Sequence, residues 1–130
     1  MKLHDVIAQL KEDGWREARH AGAHAQFLHP EQPGLVTIAG RLDSDVFRLN
    51  GEAQAEGSRT QSYAILIECG PTSYGASVPD LPGCVAIGRT IAEVQRLIRE
   101  AIQAHVTGLR EEGLAVPAAQ TIAAIVDVDG

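Results

Sequence analysis

The spacing of apolar residues divides the chain into two parts. In the first part, apolar residues recur at helical spacing at Leu3, Val6, Ile7 and Leu10, and Gly14 can end such a helix. Residues 15–39 then form three short extended runs, separated by turns rich in Gly and Pro. The pattern therefore predicts one helix followed by three strands.

The second part shows three extended runs, at residues 63–69, 74–79 and 84–88. A helix is predicted after Thr90, where Glu93 would complete a Thr-x-x-Glu capping box. Its apolar stripe consists of Ile91, Val94, Ile98, Ile102, His105 and Leu109. Alternation at Ile122, Ala124, Val126 and Val128 predicts a last strand, so the expected order is β-β-β-α-β.

The stretch between the two parts is polar and carries several glycines. We expect a front segment (residues 1–40), a linker (41–61) with a short helical turn near Asp45, and a back segment (62–130). Both segments combine strands with a helix, so the fold class is expected to be α+β.

Composition and charge limit the classes of function that the chain is expected to have. The chain has 130 residues, is 45% hydrophobic but only 4% aromatic, and carries a formal charge of −6. A basic footprint over the whole chain, which nucleic-acid binders usually show, is absent. Residues 1–60 hold seven Lys or Arg, nine Asp or Glu and four of the five His, whereas residues 61–130 hold four basic and eight acidic residues. An acidic segment joined to a His-rich one suits the masking of an RNA-binding face; an ordinary acidic surface is the alternative.

The remaining composition predicts a cytoplasmic protein without a cofactor. Cys69 and Cys84 have no ligand-like spacing, so we expect free thiols and no metal site. The first residues lack the pattern of a signal peptide, and no run approaches the roughly 18 apolar residues of a membrane span.

The front segment closely resembles HicA toxins of bacterial toxin–antitoxin systems. The motifs that carry this resemblance are Gly14-Trp15, the basic run Arg16 to His20, Gly22-Ala23-His24, Phe27 to Pro30, and Pro33-Gly34-Leu35-Val36-Thr37. The resemblance implies a small ribonuclease with a fold like the double-stranded-RNA-binding domain, here as a partial α-β-β-β segment that covers residues 1–40.

His24 is the candidate catalytic residue, because a histidine can take up a proton from a ribose hydroxyl near neutral pH. Lys11, Arg16 and Arg19 are the candidate phosphate contacts. A hairpin histidine bonded to a backbone carbonyl is the alternative for His24. We expect His20 and His29 to be surface residues of edge strands, and Trp15 to belong to the core more than to an RNA stacking platform.

Two departures from the HicA pattern count against activity. Ala23 stands where the family has serine, and the residues after 40 do not resemble the helix that closes the HicA sheet. His24 is therefore expected to be vestigial or held inactive, and either the back segment or another subunit should cover the sheet of residues 15–39.

The back segment resembles HicB antitoxins over residues 62–128. The resemblance rests on Tyr63 to Ile67, Tyr74, Val78 to Cys84, Gly88, Thr90, Glu93 and the run from Gly113 to Pro117. It implies a degenerate ribonuclease-H-like domain that associates into oligomers and blocks HicA. Glu68, Asp80 and Glu93 show no clustering for Mg²⁺, and Asp80 is better explained as a turn residue. No DNA-binding segment is seen, so DNA is not an expected partner.

Three hypotheses follow from these two resemblances. The first is a fused toxin–antitoxin protein that is self-neutralised, with an inactive RNA-binding or mRNA-interferase remnant in front. The second is an active ribonuclease released by a partner or by proteolysis. The third is a non-enzymatic module that captures free HicA-type toxins. The expected partners are accordingly a HicA-type toxin or the chain's own front segment, with RNA as a candidate.

Overall fold

A computed structural model describes residues 2–21, 23–40 and 62–129. Two helices and six strands follow one another in the described chain: α1 (Leu3–Glu12), β1 (Arg16–Ala21), β2 (His24–Leu28), β3 (Val36–Ala39), β4 (Leu66–Cys69), β5 (Tyr74–Ser77), β6 (Cys84–Gly88) and α2 (Ile91–Glu111). The predicted order of elements in the front segment is confirmed, as are the three strands and the helix of the back segment. The fold class is α+β.

The six strands form one mixed sheet in the order β1-β2-β3-β6-β5-β4. Each segment contributes an antiparallel set of three strands. The two sets are joined by parallel pairing of β3 with β6, which places Thr37 opposite Cys84 and Ala39 opposite Ala86. The front and back segments therefore share a single sheet.

Alternation along the strands gives the sheet two apolar faces, one for each helix. α1 covers the first face, where a buried cluster consists of Leu3, Ala25, Phe27, Ile38, Val85 and Ile87. Since Val85 and Ile87 belong to β6, the helix of the front segment also packs on a strand of the back segment.

α2 covers the opposite face and contacts β3, β5 and β6. Its inner side buries Val94, Leu97, Ile98, Ala101, His105, Gly108 and Leu109. Leu35 and Ala39 of the front segment belong to the same buried cluster as the large apolar residues of α2 and Ala101. The sheet of residues 15–39 was expected to be covered either by the back segment or by another subunit. On the face opposite α1, the back segment covers it, through α2.

α2 begins as the sequence indicates, with one difference. The Thr90 hydroxyl accepts a hydrogen bond from the backbone N–H of Glu93 at 3.0 Å, which confirms Thr90 as the N-cap. The Glu93 carboxylate, however, accepts from the N–H of Arg89 at 2.8 Å. The expected reciprocal bond to Thr90 is thus replaced by one to the preceding residue.

The predicted last strand is wrong. Residues 114–129 form no strand in the described chain, although Val116 is buried and Tyr63 donates a hydrogen bond to the carbonyl of Pro117 at 2.6 Å. Alternation indicates only that a segment suits a strand; a ladder also needs a neighbour, and no described strand pairs with residues 122–128. The back segment is therefore β-β-β-α in this structure, not β-β-β-α-β.

Gly14 ends α1 with a positive φ of 100°, a conformation that L side chains rarely adopt. A Cβ at this position would also lie 2.6 Å from Nε2 of His29, so the glycine leaves room for that ring. The expected linker and the helical turn near Asp45 lie outside the described residues. In the part of the chain that is described, no helix is long and apolar enough to cross a membrane.

Candidate functional site

His24, the candidate catalytic residue, lies at the start of β2 on the face that α2 covers. A cavity of about 590 Å³ is lined both by this end of the sheet and by α2. The sheet contributes Arg19, Ala23, His24 and Gln26 to its lining, and α2 contributes Glu100, Gln103, Ala104, Thr107, Gly108 and Glu111. The structure thus brings together a histidine and an arginine that the sequence had singled out, and places a helix of the back segment over both.

Arg19 is held by carboxylates at the end of this helix. Its Nη2 lies 3.2 Å from Oε2 of Glu111 and 3.2 Å from Oε2 of Glu112, and Nη1 donates to the side-chain oxygen of Gln26 at 3.2 Å. The arginine side chain is only 34% exposed. A phosphate that approached Arg19 would have to compete with two negative charges already in place.

Behind Arg19, a chain of buried hydrogen bonds crosses from the sheet to α2. The amide nitrogen of Gln26 donates to the hydroxyl of Thr37 at 3.0 Å and to the carbonyl of Ala104 at 2.9 Å. The Thr37 hydroxyl in turn lies 2.7 Å from Nδ1 of His105. Among the described residues, no buried side-chain nitrogen or oxygen lacks a partner, so this polar network is fully satisfied.

His105 is 1% exposed and sits in the middle of the inner face of α2. Burial lowers its pKa to about 4, while a hydrogen bond to the backbone of Pro82 opposes this shift. The ring is therefore neutral at physiological pH. Because proline has no N–H, the hydrogen bond to the Pro82 backbone takes a ring proton to its carbonyl, and we assign that proton to Nε2, so that Nδ1 accepts the hydroxyl proton of Thr37.

Gly108 allows α2 to approach the front segment closely. A Cβ at this position would lie 2.6 Å from Cδ2 of Leu35, 3.1 Å from the Gln26 oxygen and 3.2 Å from Nη1 of Arg19. All three neighbours belong to the front segment. Glycine costs roughly 1 kcal/mol in a helix relative to alanine, and here the missing side chain lets the helix lie against β2 and the residues before β3.

The other candidate phosphate contacts lie elsewhere. Lys11 is on α1, which covers the opposite face of the sheet from Arg19 and His24. Arg16 pairs with Leu28 at the far end of β2 from His24, about 13 Å away along the strand. Of the three predicted RNA contacts, only Arg19 lies beside the candidate catalytic residue.

The remaining histidines and Trp15 have structural surroundings. His29 was expected to be a surface residue of an edge strand, but it follows β2 and is tied to the backbone. Its Nε2 lies 2.9 Å from the carbonyl of Asp13, and its Nδ1 accepts hydrogen bonds from the N–H groups of Glu31 and Gln32. Trp15 packs on the α1 cluster and meets the His29 ring edge-on at 5.2 Å, consistent with a core residue. His20 is exposed on β1 and lies 3.1 Å from Glu17.

Asp80 binds the backbone of the segment that follows α2. Its Oδ2 accepts from the N–H groups of Gln120 and Thr121 at 2.9 and 2.8 Å, and Oδ1 accepts the Thr121 hydroxyl at 2.8 Å. The hydrogen bonds from Thr121 and Gln120 lower the pKa of this carboxyl group, against an opposing effect of burial. Within the described residues, no three His, Cys, Asp or Glu side chains group together as metal ligands.

The sequence did not indicate the polar network or the glutamates that hold Arg19. His105 offered the one available signal, because a histidine stood within an otherwise apolar helical stripe. Gln26 and Thr37 gave no such signal. The sequence of a strand does not show that a helix far along the chain will supply hydrogen-bond partners for the polar side chains that point inward.

Comparison with known proteins finds two matches to protein families and one to a single relative. The family described as the HicB-like antitoxin of bacterial toxin–antitoxin systems matches residues 63–129, and the family described as the HicA toxin of bacterial toxin–antitoxin systems matches residues 4–46. An uncharacterized 14.9 kDa protein from the rep-hol intergenic region of Haemophilus phage HP1 is 38% identical over 60 residues. That alignment covers 46% of this chain and 45% of the phage protein, so it spans less than half of either. No solved structure matches.

Proposed function

This chain belongs to the HicB-like antitoxin family of bacterial toxin–antitoxin systems and carries a HicA-toxin segment in front, and from this premise we propose that it is a self-neutralised toxin–antitoxin fusion. In this proposal the back segment acts as the antitoxin and the front segment is an inactive mRNA-interferase remnant. The observation that supports it is the position of α2, which lies over the sheet face that carries His24 while its last turn binds Arg19.

The block depends on packing more than on charge. The contacts of Arg19 with Glu111 and Glu112 are partly exposed, and such pairs contribute at most about 1 kcal/mol each. The inner side of α2, by contrast, includes Val94 and Ala101 at 0% exposure, in the main core cluster. Lifting the helix from His24 would expose that core, so the arrangement favours lasting inactivity over release by a partner.

Covalent attachment strengthens the same effect. A tethered inhibitor meets its target at an effective concentration in the millimolar range when the linker is short, and it is always present in equal amount. Residues 41–61 provide the tether in the sequence. A toxin-like segment that is always translated with its antitoxin is neutralised even if His24 could still act as a base.

The finer parts of the proposal follow from the family resemblances. The α-β-β-β order of residues 3–39 is consistent with a partial double-stranded-RNA-binding fold, and the back segment with a degenerate ribonuclease-H-like fold. Toxin–antitoxin families imply a HicA-type toxin or DNA as the partner. In our proposal the chain's own front segment takes the place of the toxin, and the protein acts in the cytoplasm, where mRNA is translated.

Removal of the glutamates that hold Arg19 tests the occlusion in the full chain. We expect Glu111→Gln with Glu112→Gln to raise the affinity for a short RNA duplex several-fold at low salt, because Arg19 becomes available to phosphate. A double variant with Glu12→Gln and Glu31→Gln changes the net charge equally at two exposed residues that do not line the cavity, and should bind RNA as the unchanged protein does. Equal affinity of all three proteins would refute occlusion of Arg19.

A second measurement separates an inactive remnant from a working ribonuclease. Expression of the full chain should leave bacterial growth and a reporter mRNA unaffected, and His24→Ala should change neither. Growth arrest relieved by His24→Ala would instead establish an active toxin. Capture of free HicA-type toxins stays a prediction, and a pull-down with a stand-alone toxin of that family tests it.

A further inference from the structure

A groove runs between α2 and the edge of the sheet at β4, on the opposite side of the helix from the His24 cavity. It has a volume of about 430 Å³, and its apolar lining comes from Ile65, Ile98 and Ile102. Tyr63 and Arg99 also line it. In the described chain, β4 is the last strand on this side of the sheet. A further strand beside β4 would place alternate side chains in this groove.

The tail segment (residues 122–129) has the properties of such a strand. Four of its side chains are almost fully exposed: Ile122 at 88%, Ile125 at 95%, Val126 at 81% and Val128 at 87%. Soluble proteins seldom expose so many large apolar side chains within one short stretch. β-Branched residues are typical of strands, and Ile122, Val126 and Val128 would fall on one side of an extended chain together with Ala124. Residues 122–128 also match residues 63–69 in length.

The tail segment begins near the groove, but none of its residues lines the groove of its own chain. Asp80 fixes Gln120 and Thr121 through three hydrogen bonds, and Tyr63, which lines the groove, binds the Pro117 carbonyl. The position from which the tail segment departs is therefore set by the fold, whereas the residues beyond it are directed to solvent.

We propose that the tail segment of a second copy of this chain adds to the outer edge of β4 and fills the groove, in a reciprocal exchange. An edge strand offers backbone N–H and C=O groups to an incoming strand, and the groove takes its alternate apolar side chains. The charges match, because Arg99 lines the groove and the tail segment carries Asp127 and Asp129 with no lysine or arginine. Two copies can satisfy each other because each presents both a groove and a tail segment.

The mass of the full chain in solution, measured by light scattering after gel filtration, tests the proposal. We expect a dimer, and we expect monomers when the chain is shortened after Thr121 or carries Val126→Asp. Val126 is 81% exposed within its own chain, so the substitution should leave the circular dichroism spectrum of the fold unchanged. A monomeric full chain would overturn the proposal, as would a dimer that persists in the shortened protein.

A matched pair of charge reversals tests the groove itself. Arg99→Glu places a negative charge in the groove and should raise the dimer dissociation constant at least ten-fold. Arg96→Glu makes the same change one turn away, at a residue that is paired with Glu100 at 3.9 Å and does not line the groove; it should leave dimerisation unchanged. Equal effects of the two variants would contradict a groove-bound tail segment.

Discussion

Thr37 connects the two segments through its hydroxyl group, and replacing it with valine should weaken the whole fold. The side chain is fully buried on β3, where the hydroxyl binds Gln26 at 3.0 Å and Nδ1 of His105 at 2.7 Å. Valine has nearly the same shape and an equally good strand propensity, so Thr37→Val removes the two hydrogen bonds and little else.

The expected loss follows from which groups are left without partners. Gln26 keeps the Ala104 carbonyl as an acceptor. Nδ1 of His105, however, loses the Thr37 hydroxyl as its donor, and water cannot replace it because His105 is only 1% exposed. An unsatisfied buried acceptor costs about 1–3 kcal/mol, and the lost bond to Gln26 adds roughly 0.5–1 kcal/mol. We therefore expect Thr37→Val to lower the free energy of unfolding by about 1.5–4 kcal/mol.

Thr37→Ser provides the control, because it keeps the hydroxyl and removes one methyl group, at a cost of about 1 kcal/mol. Urea unfolding followed by circular dichroism measures both changes, at one protein concentration so that self-association contributes equally. Thr37→Val should be the less stable variant, with an unchanged m-value. If Thr37→Ser were the less stable of the two, the network would not hold the segments together and the reasoning would be refuted.

Three further predictions concern buried groups in the back segment and the helix contact. The pKa of His105 is about 4 in the folded chain and about 6.5 in the unfolded chain, so the unfolded chain binds a proton first as the pH falls. The contribution of His105 to stability is therefore full above pH 6.5, and the free energy of unfolding should fall by about 2 kcal/mol between pH 7 and pH 5. His105→Gln should flatten this pH dependence in denaturation curves. Asp80→Asn replaces a charged hydrogen-bond acceptor with a neutral one and so weakens the bonds from the N–H groups of Gln120 and Thr121. Limited proteolysis followed by mass spectrometry should then find faster cleavage near Thr121. Unchanged cleavage would contradict the anchoring role of Asp80. Gly108→Leu should lower the melting temperature of the full chain, because overpacking against Leu35 costs about 1–3 kcal/mol; a rise would show that the close approach is not required.

Local patterns in the sequence predicted most elements of this fold. The helical spacing of Leu3 to Leu10 and the cap at Thr90 correspond to α1 and α2, and the short extended runs correspond to the six strands. These features depend on neighbours within a few residues, which a single sequence displays directly.

Features that depend on distant pairing could not be predicted in the same way. Nothing near Thr37 indicates that its strand lies beside Cys84 in one sheet, and nothing near Arg19 indicates that Glu111 and Glu112 bind it. The error over residues 122–128 has the same origin, because their alternation describes a suitable strand without supplying a partner. His24 was located by its motif, whereas its cover by α2 required the structure.

The parallel pairing of β3 with β6 also sets the order in which the chain can fold. Thr37 and Cys84 are 47 residues apart in sequence, and closing a loop of that length costs about 3 kcal/mol in chain entropy before the contacts form. Contacts of such high sequence separation form late and slow the folding of small domains. On the ribosome, β3 emerges first and must wait until residue 88 has left the exit tunnel before the sheet can be completed. The toxin-like strands thus reach their final packing only after the strands of the antitoxin-like part have been synthesised, and the two halves mature together.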